Sequence, residues 1–379
     1  MYLAKKSAKI KVQKSKKTVL ISSVLKPVND TRLYEKIGRS LTKHEYLDIH
    51  ICGFKSSIPN NQKITFHPIF FFKRLSIWRF LSYWKYAILI IKVKPNIIIC
   101  NTFELQIINI TYKILFGAEY YYNLEENYYR NIRYTSNFNR LFRTPFSLLI
   151  RLKEKILHPF VTQYLSAENC YLDEMPFIKE KTTTILNKTT PTPLAISREK
   201  NTDKSHFLYT GTIAEQYGIF NIINFIKSIH ETDPKYQLTI IGYCPNLNTL
   251  SLVKKEIKNQ SYITLIGGEQ PIDHNAILKH ISQADIGIIS YINNLSTENC
   301  FPTKIYEYLH YKLPIVSLTK NKWSNTDILD TAILEFDFNS SIKTIIDEIN
   351  SYDFYTNETP KNIYWESEEK KLFKALRLD

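Results

Sequence analysis

Cysteines are few in this chain, and nothing arranges them to act together. Cys52, Cys100, Cys170, Cys244 and Cys300 are scattered, odd in number and never in a Cys-x-x-Cys pair. That pattern argues against a disulfide framework and against a zinc site, and it points to a reducing compartment. No apolar run reaches the roughly 18 residues of a spanning helix, because Arg79 and Lys85 interrupt the most hydrophobic region. The first residues lack the apolar core of a secretory signal. Together these absences predict a cytoplasmic protein. Internal repeats and extended low-complexity stretches are missing as well. Acidic residues are outnumbered, 36 Asp and Glu against 50 Lys and Arg, for a net charge of +14. Half of that excess is the tail lysines Lys5, Lys6, Lys9, Lys11, Lys14, Lys16 and Lys17. No recognition motif accompanies them, so nucleic acid is not the expected partner. A solvated terminus or an anionic membrane surface fits such a tail.

The 379 residues, 44% apolar and 13% aromatic, suffice for two domains with substantial cores. After the basic tail, residues 1–17, the run Thr-Val-Leu-Ile-Ser-Ser-Val from Thr18 suits a buried parallel strand. Leu33, Ile37 and Leu41 then recur at helical spacing behind Asn29 or Asp30 as N-cap. Further strands are expected at Leu47–Cys52, Ile64–Phe66 and Asn96–Cys100, and Arg- and Lys-rich helices over about 138–165. The polar, Thr- and Pro-rich stretch 191–204 reads as a linker, which bounds a first domain at 18–190. The second domain, 205–350, restarts the alternation, with glycines at strand ends: Gly211, Gly242, Gly267 and Gly268. A segment 351–379 ends in an amphipathic helix. Repeated strand-helix units predict an α/β protein of two doubly wound, Rossmann-like domains.

Candidate chemistry gathers at strand ends, where open α/β sheets bind ligands. In the first domain, Asp30 and Arg32 would face such a cleft. Glu125 and Glu126, adjacent carboxylates among tyrosines and followed by Asn127, would hold a sugar or perturb one another. In the second domain, glycines at strand ends let a nucleotide approach the backbone, with Thr212 and Tyr243 beside them. The stretch Asn-Cys-Phe-Pro-Thr-Lys-Ile-Tyr-Glu-Tyr-Leu from Asn299 reads as a short helix with Pro302 at its first position. Ile305, Tyr308 and Leu309 would face a core, and Lys304 and Glu307 would project from one face. A helix start with a lysine suits a diphosphate, and a carboxylate one turn later suits ribose hydroxyls. An ordinary surface ion pair is the alternative.

The Pro302-Thr303-Lys304-x-x-Glu307-Tyr308 stretch, followed by Pro314, resembles the Pro-Asn-Lys-x-x-Glu-Tyr element of retaining, GT-B-fold glycosyltransferases of family 4. Asp30-x-Arg32 and Tyr122-Asn123-x-x-Glu126-Asn127 resemble two further elements of that family. The resemblance implies a GT-B fold of two domains facing a cleft, the second holding a nucleotide-diphosphate sugar and the first an acceptor, with the last helix crossing back. It implies donor binding by Gly211, Thr212, Gly242, Tyr243, Gly267, Gly268, Pro302, Thr303, Lys304 and Glu307. Asp30, Arg32 and Asn127 fall on the acceptor side, and Glu125, Glu126 and Lys304 in catalysis. There are departures. Glu125 stands where a histidine is common, Asn299 where many members carry a first glutamate, and Thr212 and Tyr217 where a loop Arg and Lys bind the diphosphate.

The implied function is transfer of a sugar to a glycan or lipid-linked acceptor, with retention, in cell-surface polysaccharide biosynthesis. A UDP-sugar is the expected donor. The Asp-x-Asp element of the other main glycosyltransferase fold is absent, so no required metal or other cofactor is expected. The lost loop cations and histidine favour an alternative, a catalytically impaired nucleotide-sugar or glycan-binding partner in an assembly complex. Between Phe70 and Val93, basic residues interleave with Trp78, Trp84 and other aromatics, suited to lying in a membrane interface. The alternative there is a domain helix with snorkelling cations. The expected location is the cytoplasm, peripheral at the inner face of the membrane.

Overall fold

A computed structural model describes residues 15–71, 80–135, 139–192, 204–292, 294–320, 322–323, 328–337, 340–357 and 361–378. The tail to residue 14, most of the linker and residues 72–79 of the aromatic, basic stretch lie outside the described residues. The chain divides into two compact units, residues 1–124 with 154–165, and 125–153 with 166–379.

The first sheet comprises β1 (Lys17–Pro27), β2 (Leu47–Phe54), β3 (Ile64–Phe70), β4 (Ile97–Cys100), β5 (Glu119–Leu124), β6 (Gln163–Ser166) and β7 (Thr182–Thr184), in the order β3-β2-β1-β4-β5-β6-β7. The pairs from β3 through β5 are parallel. β1 and β4 are continuous apolar runs because both their faces are covered: Val19, Leu20, Ile21, Ile98 and Ile99 are fully buried. Between β1 and β2 a helical segment, Thr31–Gly38, is wound wider than an α-helix and runs into α1 (Arg39–Leu41). The helices that follow are α2 (Phe80–Val93), α3 (Gln106–Phe116), α4 (Tyr128–Tyr134), α5 (Arg140–Leu157) and α6 (Tyr171–Glu174). The basic helical stretch expected to reach Leu165 stops earlier. Gln163–Ser166 is a strand, because Tyr164, Leu165 and Ser166 are buried in a place beside β5.

The second sheet comprises β8 (His206–Thr210), β9 (Gln237–Tyr243), β10 (Ile263–Gly268), β11 (Ile286–Ile289), β12 (Ile315–Ser317) and β13 (Ile333–Glu335). Its order is β10-β9-β8-β11-β12-β13, parallel throughout. Such pairing needs crossovers. They are supplied by α7 (Ile219–Thr232), α8 (Leu247–Ile257), α9 (His274–Gln283) and α10 (Thr303–His310), with α11 (Ile342–Ser351) and α12 (Glu366–Ala375) after the last strand. α7 buries Ile222, Ile223, Ile226 and Ile229 at helical spacing against one sheet face. α10 buries Ile305, Tyr308 and Leu309 on the other. Order reverses between β8 and β11, the topological switch where such sheets bind ligands. α12 is anchored by a buried carboxylate: Glu368 pairs with Lys188 at 2.7 Å and accepts from the Leu186 amide.

Candidate functional site

At the carboxyl ends of β8, β9 and β10 the backbones approach too closely for side chains. A Cβ on Gly242 would stand 1.7 Å from the Gly211 carbonyl oxygen, and one on Gly267 would stand 2.5 Å from that of Gly242. Gly211 and Gly267 also hold φ of +98° and +88°, in the left-handed region that glycine adopts at little cost. Gly242 and Gly267 are register partners, and the Gly211 amide donates to Ile241 O at 3.0 Å. Three of the expected glycines thus form one row across neighbouring strands. Gly268, also at positive φ, extends it, its carbonyl accepting from the Cys244 amide. Gly218 starts α7, where a Cβ would stand 1.9 Å from Ser290 O at the end of β11.

α10 comes close because β11 makes room for it. A Cβ on Gly287 would lie 2.6 Å from the Tyr308 ring, and Tyr308 in turn bonds Thr210 Oγ1 at 3.0 Å. Sequence reasoning passed over Gly287, which lies inside a strand, where the loss of a side chain is the usual sign of close packing. Pro302 is the N-cap of α10 and not its first residue. Its φ of −65° suits either place, but its ψ of 126° keeps it extended, and Thr303 opens the helix, exposed.

Lys304 does not project into solvent beside Glu307. Its side chain folds over Gly211, with Cε 3.6 Å and Nζ 3.7 Å from where a Cβ would be, and Nζ lies 4.0 Å from the centre of the Tyr209 ring. It is 9% exposed and makes no ion pair among the described residues. Burial lowers its pKa from 10.5 to about 7, against the opposing pull of Glu307. Tyr209 is held in place by donating to Thr212 O at 2.6 Å, which fixes the backbone of the loop after β8. Glu307 turns to α9, where its Oε1 lies 2.9 Å from His274 Nε2. His274 opens α9 behind the cap Asp273. Its place after β10 was the only sequence signal available for it.

Other candidates lie elsewhere. Asn127 caps α4, donates to Glu174 Oε2 at 2.8 Å and accepts from Arg151 at 2.7 Å. Glu126 accepts from Asn131, and the Glu125 carbonyl accepts from Tyr171. Burial raises the pKa of Glu174, against Asn127, Arg130 and Arg151. Arg130 bridges Glu174 and Leu295 O, and Glu168 accepts from the Phe301 amide, so α4 and the segment before α6 grip the loop that leads into α10. In the other unit, Asp30 caps the Thr31–Gly38 segment by accepting from the amides of Arg32 and Leu33. Arg32 is buried and donates through Nε and Nη2 to Asn123 Oδ1 at 3.1 and 3.0 Å. The described residues gather no group of three His, Cys, Asp or Glu that could hold a metal ion. Among them, no helix is long and apolar enough to cross a membrane.

Residues 194–331 match the family described as glycosyl transferases group 1. Over those residues the chain is similar to that family. The matched stretch contains the whole glycine row and α10. No curated protein matches the chain. Among solved structures, sucrose-phosphate synthase from Thermosynechococcus elongatus is similar, at 15% identity and TM-score 0.69 over 96% of this chain and 98% of that one. HepE of Anabaena, in a structure with UDP and glucose, is similar at 10% identity and TM-score 0.64, over 95% and 99% of the two chains. A UDP-forming α,α-trehalose-phosphate synthase from Burkholderia xenovorans is similar at 9% identity and TM-score 0.61, over 96% and 99%. At these identities the likeness is one of fold, and that fold is GT-B.

Proposed function

We propose that the protein transfers a sugar from a nucleotide-diphosphate sugar to a hydroxyl of a glycan or lipid-linked acceptor, as a retaining enzyme of family 4. The observation that carries this reading is Lys304 over the bare backbone of Gly211. The loop after β8 has Thr212 and Tyr217 in the places of the expected cations, and Lys304 brings an ammonium to that same loop from α10. In this reading the donor diphosphate lies along Gly211, Gly242 and Gly267. Lys304 and the first amides of α10 then meet the charge that grows as the diphosphate leaves. Glu307, oriented by His274, accepts from ribose hydroxyls. Thr303, Tyr243 and Gly268 border the donor. Asp30, Arg32 and Asn127 serve the acceptor side through the backbone they hold, and Glu125 and Glu126 the reacting sugar. A UDP-sugar donor is favoured by the likeness to HepE, whose structures hold UDP and UDP-glucose. The biological setting of the reading is cell-surface polysaccharide assembly at the inner face of the cytoplasmic membrane. The two domains of the reading divide near residue 190.

Thermal unfolding in UDP-, GDP- and dTDP-sugars tests donor binding, because a ligand of the folded state raises the midpoint with its concentration. One nucleotide series is expected to do so, and product formation with a lipid-linked acceptor mixture should follow. No shift in any series at millimolar donor would overturn the reading. A shift without turnover over any acceptor would instead favour a binding partner in an assembly complex.

A further inference from the structure

α5 is built inside out. On a wheel of about 100° per residue, Leu141, Phe142, Leu148, Leu149, Leu152 and Ile156 fall within about 120°. All six are exposed, Leu141 to 80% and Leu149 to 62%. The buried stripe, opposite, is Ser147, Ile150 and Glu154. A helix that covers a core has the reverse arrangement, and a contiguous outward apolar stripe marks an interaction surface.

Charge identifies the occupant. α5 carries Arg140, Arg143, Arg151, Lys153 and Lys155, while its one acid, Glu154, is buried. On the wheel Lys153 and Lys155 flank the apolar stripe on its two sides. An apolar stripe edged by cations is the pattern of a helix lying in the headgroup region of a bilayer, where stems and leucines reach the acyl boundary and ammonium groups meet phosphates. The same chemistry recurs on α2, whose Leu81, Trp84, Ile88 and Ile91 are exposed at helical spacing beside exposed Lys85 and Lys92. We propose that α5 docks the protein on an anionic lipid bilayer, its leucine stripe in the interface and the flanking Lys153 and Lys155 on lipid phosphates. The proposal rests on the membrane setting of the reading above, and uses none of the donor-site residues.

Co-sedimentation of the full chain with phosphatidylglycerol-containing vesicles, against vesicles of phosphatidylcholine alone, tests it. Binding is expected to the anionic vesicles, weakening with added salt. Leu149→Asp with Leu152→Asp should weaken it by about tenfold or more, the scale of one buried leucine. Lys153→Glu with Lys155→Glu should abolish the preference for anionic lipid. Leu149, Leu152 and Lys155 are exposed and Lys153 is half-buried, and thermal unfolding with donor binding reports that each variant is folded. No binding at low salt, or binding equal in both variants and the parent, would overturn the proposal. So would self-association in analytical ultracentrifugation that the leucine variant abolishes, without vesicle binding by the parent.

Discussion

Replacing Lys304 with methionine keeps an unbranched stem as far as Cε and removes the ammonium group. Burial has taken this ammonium from 10.5 to about 7. At about 1.4 kcal/mol per pH unit the interval converts to about 5 kcal/mol as an upper bound. Because the folded value lies below the unfolded one, the unfolded chain holds the extra proton between about pH 7 and 10.5. Unfolding free energy therefore rises with pH across that window, and the full cost of the buried charge is borne below it. Lys304→Met should be more stable than the parent at pH 6 to 7, by up to the same several kcal/mol, and the gap should close as pH rises. Donor binding should move the opposite way. If the diphosphate sits on Lys304, binding draws a proton onto it, so parental affinity falls above about pH 7 by at most about tenfold per pH unit. The methionine variant should bind weakly and without that pH dependence. Urea unfolding from about pH 6 to pH 9, paired with calorimetric titration of a UDP-sugar, measures both. A methionine variant less stable at neutral pH, or a parental affinity flat across the range, would refute the argument.

Four further outcomes are expected. Glu307→Gln should weaken donor binding by titration calorimetry while leaving thermal stability nearly unchanged, since only the charged acceptor is lost. Gly242→Ala must push the β8 and β9 strand ends apart, because its Cβ would meet Gly211 O at 1.7 Å. A loss of about 3 kcal/mol or more is expected in denaturant unfolding, with donor binding lost even where the variant folds. Arg32→Ala removes both donors from Asn123 Oδ1 and should cost about 1–3 kcal/mol of stability. On the acceptor-side reading it also reduces transfer with donor affinity intact. Glu368 has its pKa lowered although burial pushes it up, because hydrogen bonds from Lys188 and Lys371 outweigh burial. Its contribution is present above about pH 4.5 and lost as pH falls through the lower folded value, so Glu368→Gln should flatten the acid limb of a stability profile.

Local periodicity by itself determined a good deal of this protein. The apolar runs of β1 and β4, the isoleucines of α7 and the glycines closing β8, β9 and β10 carry their strand, helix and turn character in a few neighbouring residues, and their alternation implies a doubly wound sheet. The same spacing placed Lys304 and Glu307 one turn apart, which is correct along α10 and silent on what lies across from it. Only tertiary structure sends Lys304 over Gly211, 93 positions earlier, and Glu307 to His274. The pairing of Arg32 with Asn123, and the turning of the leucines of α5 outward, are decided in the same way. The physical reason is range. Helix and strand periods follow from backbone geometry and are written in adjacent residues. Burial, protonation and the choice of partner follow from desolvation by distant segments, which a local pattern does not contain.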